Sequence, residues 1–119
     1  MESRSTARYM SMSSSKVRPV LNLIRDKNVE EAYQILRLNR GRAARMIEKV
    51  LHAAVATAVE QHDATAENLM VSGVWVDGGP TRRTRMPRAR GMSTPIIHRT
   101  CHINVVVSDE TGDTQAGDA

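Results

Sequence analysis

Five arginines within nine residues carry the strongest chemical signal in this sequence. They lie in a segment without a carboxylate, at Arg82, Arg83, Arg85, Arg88 and Arg90. The nearest acids are Asp77 and Asp109, so the acid-free stretch also takes in Arg99. Guanidinium groups pair bidentately with phosphate oxygens and stack on bases. Because such closely spaced like charges repel one another in a packed core, we expect this segment at the surface, against a polyanion, with RNA favoured.

The arginine segment is also too long for an ordinary loop. Gly78 to Pro95 spans 18 residues, whereas unstructured connections in compact domains rarely exceed about 12–15 residues. The β-branched apolar stretches that flank it, 69 to 77 and 96 to 107, are typical of strands, and strands joined without a helix pair most simply as a hairpin. Legs that continue to residue 87 would reach about 33 Å, against a radius of gyration near 14 Å for the domain. The sequence therefore predicts a projecting arm at about 78 to 95.

Three helices are predicted before the strands, at about 15 to 25, 28 to 39 and 42 to 61. In the first, Val17, Val20, Leu21 and Ile24 share one helix face. The third is the longest and is rich in alanine, which allows close packing against another element. Residues 2 to 12 fit either an edge strand or an irregular arm. In the last strand, alternation predicts that Cys101, Ile103, Val105 and Val107 face the core.

Size and charge indicate one basic domain with an acidic end. The 119 residues carry 17 Lys+Arg against 13 Asp+Glu. All four acids from position 109 onwards lie in a stretch without a base, so we expect a domain at 1 to 109 and a disordered acidic tail at 110 to 119. The aromatic residues are Tyr9, Tyr33 and Trp75, so the core must be aliphatic, and Trp75 is expected within it.

The sequence argues against a secreted, membrane or metal-binding protein. One cysteine, Cys101, excludes an internal disulfide, and no apolar run approaches the roughly 18–20 residues of a membrane span. The first residues lack the apolar core of a secretory signal, so a cytoplasmic protein is the default. His98, Cys101 and His102 suggest a metal site, but the cysteine faces away from both histidines and a fourth ligand is missing.

Enzyme and lipid-binding functions are also disfavoured. His52, His62 and Asp63 lack any accompanying nucleophile motif, and there is no phosphate-binding or dinucleotide fingerprint. No catalytic residue, metal or cofactor is therefore expected. An anionic lipid surface would require an amphipathic helix with bulky anchors, whereas Pro87, Gly91 and Pro95 interrupt any helix in the arm.

Five sequence pieces together resemble the universal large-subunit ribosomal protein 22 family. They occur in the family's order and spacing: SSSKVRPVLNLIRDK (13 to 27), KVLHAAVATAVEQHD (49 to 63), VWVDGGP (74 to 80), RMPRARG (85 to 91) and RTCHINVVVSD (99 to 109). The resemblance runs from about Ala7 to Asp109. It differs from the family at Asp26, where glycine is frequent, at Pro19, where an aliphatic residue is usual, and at the segment 92 to 95.

The resemblance implies an α+β fold, with three helices packed on a small antiparallel three-stranded sheet and a long protruding β-hairpin arm. It also implies a structural constituent of the large ribosomal subunit that binds ribosomal RNA, supports subunit assembly and sends the hairpin to the wall of the nascent-peptide exit tunnel. Its partners would be ribosomal RNA, neighbouring large-subunit proteins and the nascent peptide, without membrane insertion.

Functional residues follow from the resemblance position by position. The implied RNA-binding set is Lys16, Arg18, Arg25, Arg82, Arg83, Arg85, Arg88, Arg90, Arg99, Thr100 and His102. The implied tunnel tip is Met86, Pro87, Arg88, Ala89, Arg90, Gly91 and Met92. A stand-alone RNA-binding regulator or chaperone that uses the same arm remains open as an alternative to a ribosomal component.

Overall fold

The computed structural model describes residues 2–109 and has an α+β fold, as predicted. The helices are α1 (Ser14–Ile24), α2 (Val29–Leu38) and α3 (Arg42–His62). The strands are β1 (Glu2–Met10), β2 (Leu69–Gly78), β3 (Arg82–Pro87), β4 (Ser93–His98) and β5 (Cys101–Asp109). The expected acidic tail at 110 to 119 lies outside the described residues and stays a prediction.

Three strands form the sheet of the body, in the order β1-β5-β2. Both pairs are antiparallel, and Val105 of the central strand lies between Ser5 and Val74. The pairing of β2 with β5 confirms the predicted hairpin. The structure also decides between the two readings of residues 2 to 12, because β1 is an edge strand, with an irregularity between Ala7 and Met10.

One face of this sheet packs against the helices and forms the core. Cys101, Ile103, Val105 and Val107 are fully buried, as their alternation predicted. Alanines let α3 approach the sheet closely, and the buried Ser3 hydroxyl donates a hydrogen bond of 3.0 Å to the Ala54 carbonyl. The core is aliphatic; its largest fully buried side chains from the helices are Leu21, Ile24, Leu36, Ile47 and Leu51.

Helix α1 contains an unfavourable residue at an exposed position. Pro19 is the sixth residue of the helix, past the first turn, where its missing N–H leaves the Ser15 carbonyl without its intrahelical donor. Pro19→Ala should therefore raise the free energy of unfolding by about 1–2 kcal/mol, less than the intrinsic cost of ~3 kcal/mol because proline also restricts the unfolded chain. Urea denaturation measures this change. Arg18→Ala, beside it, should change the free energy by less than about 0.5 kcal/mol, and equal values for the two variants would contradict the assignment.

The arm is a separate two-stranded sheet of β3 and β4. Its register runs from the pair Arg82 and His98 at the base to Pro87 and Ser93 near the tip. The molecule measures 65 × 28 × 25 Å, which agrees with a projecting arm. The predicted continuous strand 96 to 107 is wrong in one respect: it is interrupted at Arg99 and Thr100, because the chain passes there from the arm to the body sheet.

Candidate nucleic-acid interface

The arm has no core of its own. Every residue from Thr81 to Pro95 is exposed, and only Ile96 near the base is half-buried. Met86 and Met92 are 45% and 69% exposed, although methionine is usually a buried residue. Isolated two-stranded ribbons are marginally stable in water. The arm therefore has the properties of a segment that a partner covers.

The arginines of the arm lie on both faces and around the tip. Cross-strand pairing places Arg83 and Arg85 on one face of the ribbon and Arg82 on the other. Arg85 donates to the Ser93 hydroxyl at 3.3 Å, and Arg88 donates to the Thr94 hydroxyl at 3.3 Å. These bonds orient two guanidinium groups along the ribbon while leaving most of their N–H donors available.

The tip turns through a short 3-10 segment, Ala89–Gly91. Gly91 has a φ of 71°, as expected for a turn glycine, and Arg90 has a φ of 62°. Left-handed backbone costs a residue with a Cβ roughly 1–2 kcal/mol. A hydrogen bond of 2.6 Å from the Arg88 N–H to the Met92 carbonyl closes the turn. Residues 88 to 92 therefore form the turn at the end of the arm, and Arg90 is exposed there.

The positive charge of the arm is not neutralised within the body. Between residues 2 and 109, the single ion pair joins Arg37 and Glu48, at 3.8 Å. All the arm arginines therefore lack a carboxylate partner in the described part of the chain. A ribbon that presents unpaired guanidinium groups on both faces can follow a phosphate backbone on more than one side.

A small hydrogen-bonded joint connects the arm to the body. The Gly79 N–H donates to the Thr100 carbonyl at 2.9 Å, and the Thr100 hydroxyl donates to the Pro80 carbonyl at 2.6 Å. A Cβ at position 79 would lie 2.5 Å from the Thr100 hydroxyl oxygen. Thr100, expected to bind RNA, thus has a structural role in this joint.

Substitution of Gly79 should loosen the joint. In Gly79→Ala the new methyl group displaces the Thr100 hydroxyl from the Pro80 carbonyl, at a cost of about 1 kcal/mol for the lost hydrogen bond. We expect faster hydrogen exchange of the position-79 amide, measured by NMR. Gly78→Ala is the matched control, because its Cβ would meet no atom within 4 Å, and equal acceleration in both variants would contradict this role.

The predicted RNA-binding residues of the body are not gathered into one patch. Lys16 and Arg18 are exposed on α1, and Arg99 is exposed between the arm and β5. Arg25 donates at 3.2 Å to both Asn22 and the Val74 carbonyl, so part of its guanidinium group is used to hold α1 against β2. Lys16 and Arg99 share a cleft with Arg42, which the sequence did not single out.

The open face of the sheet is the surface that the sequence missed. Trp75 is 37% exposed there and not in the core as expected, with the Arg4 guanidinium 5.0 Å from its ring centre. A β-bulge between Val71 and Gly73 reverses the alternation of β2, so that Val74 and not its neighbour faces the helices. The glycine in the strand was the signal for this bulge.

Hydrogen bonds organise this open face around Asn104. Its amide oxygen accepts from Arg4 at 3.2 Å and from Thr6 at 2.9 Å, while its nitrogen donates to Asp77 at 3.3 Å. His102 lies beside it and accepts a bond of 3.1 Å from the Tyr9 N–H. His102, predicted to bind RNA, therefore lies on a polar surface that has cationic, aromatic and hydrogen-bonding groups.

The other chemistry considered from the sequence finds no support in the geometry. Within the described range, no three His, Cys, Asp or Glu side chains are grouped closely enough to hold a metal ion. Cys101 is buried, and burial raises the pKa of its thiol, which disfavours the reactive thiolate. Among residues 2–109, no helix is both long and apolar enough to cross a membrane.

Comparison with known proteins assigns the family. The family described as Ribosomal protein L22p/L17e matches residues 5–108. The chain is 44% identical over 112 residues to the large ribosomal subunit protein uL22 of Thermus thermophilus, covering 94% of this chain and 99% of the relative. It is 46% identical over 109 residues to the protein of that name from Carboxydothermus hydrogenoformans, covering 92% and 96%. With the fold and the arginine arm that the resemblance implied, these matches establish that the chain belongs to the ribosomal protein L22p/L17e family.

Proposed function

We propose that this protein is a structural constituent of the large ribosomal subunit in the cytoplasm, and that it binds ribosomal RNA mainly through its arm. The observation that carries the proposal is an exposed ribbon whose arginines have no carboxylate partner in the described chain. The relatives named above are large-subunit proteins, and nothing in the described site suggests catalysis. The family is one of structural ribosomal proteins and not an enzyme class.

The arm would insert between RNA segments and bring its tip to the wall of the nascent-peptide exit tunnel. A ribbon without its own core gains stability when RNA covers both faces, which links folding of the arm to subunit assembly. Arg82, Arg83 and Arg85 would bind along its length. The segment from Met86 to Met92 would border the tunnel and contact the nascent peptide, with Arg90 projecting from the turn.

The body would lie against RNA and neighbouring large-subunit proteins at the base of the arm. Lys16, Arg18 and Arg99 are exposed and available for phosphate contacts. Arg25, Thr100 and His102 have hydrogen-bonding roles within the body or the joint, so we expect them to contribute to RNA binding partly through the positions they hold.

Sedimentation of a lysate through a high-salt sucrose cushion tests this function. We expect the protein to remain with the large subunit in stoichiometric amount, because an inserted arm is held by shape as well as by charge. A stand-alone RNA-binding protein with about six phosphate contacts would lose affinity with a log–log salt slope of roughly 4. Release of the protein into the soluble fraction would contradict the ribosomal function and favour the free regulator.

A further inference from the structure

A cationic cleft lies where the arm joins the body. It has a volume of about 460 Å³, within the ~300–1,000 Å³ range of sites that bind small groups. We call it the root cleft and define it by its polar lining residues: Ser11, Ser13, Lys16, Arg42, His98 and Arg99. Three separate parts of the chain meet there: residues 11 to 16, which lead into the first turn of α1, the first residue of α3, and the end of β4 with the residue that follows.

The root cleft concentrates positive charge without an internal partner. Lys16, Arg42 and Arg99 line it, and no carboxylate does. Within the described residues none of the three forms an ion pair. Because the fold brings like charges together from distant sequence positions, the free cleft carries a repulsion that a bound anion would relieve.

We propose that the root cleft binds phosphate groups of an RNA backbone and that this contact fixes the arm on the body. This inference rests on the proposed function, since it takes the arm to be the RNA-binding element. The acid-free surface of the arm is continuous with the cleft through His98 and Arg99. A polyanion that follows the arm therefore reaches the cleft, which favours a phosphate backbone over an acidic protein segment.

A bound phosphate would fix the orientation of the arm, which few contacts to the body hold in place. Within residues 2–109, no hydrogen bond joins β3 or β4 to the body; the bonds of Gly79 and Thr100 lie in the joint itself. Repulsion between Arg99 on the arm side and Lys16 or Arg42 on the body side would favour a range of arm orientations. A phosphate between them converts this repulsion into attraction from both sides.

Binding of a single-stranded oligouridylate of about ten nucleotides to the full chain tests the site. Fluorescence anisotropy at about 50 and about 200 mM KCl gives the affinity and its salt slope. We expect Arg42→Gln and Arg99→Gln each to weaken binding several-fold and to reduce the slope by about 0.7. Arg42→Lys should keep the slope, because it keeps the charge.

Arg45→Gln is the matched control, since Arg45 lies on the same helix but lines a different groove, between α2 and α3. An equal loss of affinity in Arg45→Gln would show that the effect depends only on the net charge of the protein, which would overturn the site. If an oligoglutamate of equal length displaces the labelled oligouridylate more effectively than unlabelled oligouridylate does, the cleft is a site for an acidic protein segment and the proposal is overturned. If Arg88→Gln weakens binding while the cleft variants do not, the cleft fails and the proposed function stands. If the wild-type chain binds neither oligouridylate nor large subunits, both the phosphate site in the root cleft and the proposed function are contradicted.

The arm orientation is measured separately. Spin labels at Met86→Cys and Glu60→Cys, in a Cys101→Ala background, report the distance between the arm and the body by double electron–electron resonance. We expect oligouridylate to narrow the distance distribution, and to do so much less in the Arg42→Gln variant. A distribution that narrows equally in both proteins would show that the cleft does not fix the arm.

Discussion

Charge reversal at the arm tip should separate RNA binding from folding. In Arg88→Glu with Arg90→Glu, two guanidinium groups that have no carboxylate partner in the described chain become two carboxylates that repel phosphate. We expect affinity for large-subunit RNA to fall roughly tenfold or more at low salt, with the salt slope lower by about 1.4 if two single-strand phosphate contacts are lost. Filter binding and incorporation into reconstituted subunits measure the effect. The thermal unfolding midpoint of the body should be unchanged, because both residues are exposed on a segment that packs against nothing.

Two control variants make this result specific. Arg40→Glu with Arg45→Glu changes the net charge equally, at exposed positions of the body, and should weaken binding much less. Arg88→Lys with Arg90→Lys keeps the charge but removes the planar fork, so an intermediate loss would indicate bidentate or stacking contacts. Normal incorporation of the double glutamate variant would contradict placement of the tip against RNA.

Truncation of a buried side chain in the central strand should cause a larger loss of stability than any other substitution predicted here. Ile103 is fully buried in β5, between Ala7 and Val76 in the register and facing the helices. Ile103→Ala removes three methyl or methylene groups from a site closed on every side, so we expect the free energy of unfolding to fall by about 2–5 kcal/mol. Urea denaturation measures this loss. Because the total stability of a small domain is itself only about 5–15 kcal/mol, we expect the variant to unfold at moderate temperature.

Val106→Ala is the control on the opposite face of the same strand. Val106 is only half-buried, so its truncation should cost about 1 kcal/mol or less. Comparable losses for the two positions would contradict the assignment of the inner face. Because the arm contributes no core, its tip substitutions and Ile103→Ala should have additive effects on stability.

Local patterns in the sequence determined most of the fold and the character of the site. The predicted helices agree with α1, α2 and α3 to within one residue at every end, because apolar spacing fixes which residues can share a buried face. Alternation along β5 identified its four fully buried apolar residues, but it did not predict that Asn104, on the opposite face, and Ser108 are buried as well. The arm followed from three features together: five arginines that cannot be buried, the length of the segment and the strands that flank it. The five pieces of sequence resemblance identified the family.

Other features depended on contacts between distant parts of the chain. The position of β1 beside β5 required pairing of residues about 100 positions apart, such as Glu2 with Ser108. The side chain of Trp75 lies on the open face because a bulge shifts the phase of β2, an effect that simple alternation does not include.

The root cleft was visible only in three dimensions. Lys16, Arg42 and Arg99 lie in separate segments. The resemblance implied Lys16 and Arg99 only as individual RNA contacts, and Arg42 was not singled out. Their proximity depends on how α1, α3 and the joint of the arm pack together, which no local pattern specifies. The sequence by itself thus predicted most of the elements, the family and a polyanionic partner. Tertiary structure decided where the charges meet, because a site built from distant segments is a property of packing and not of spacing.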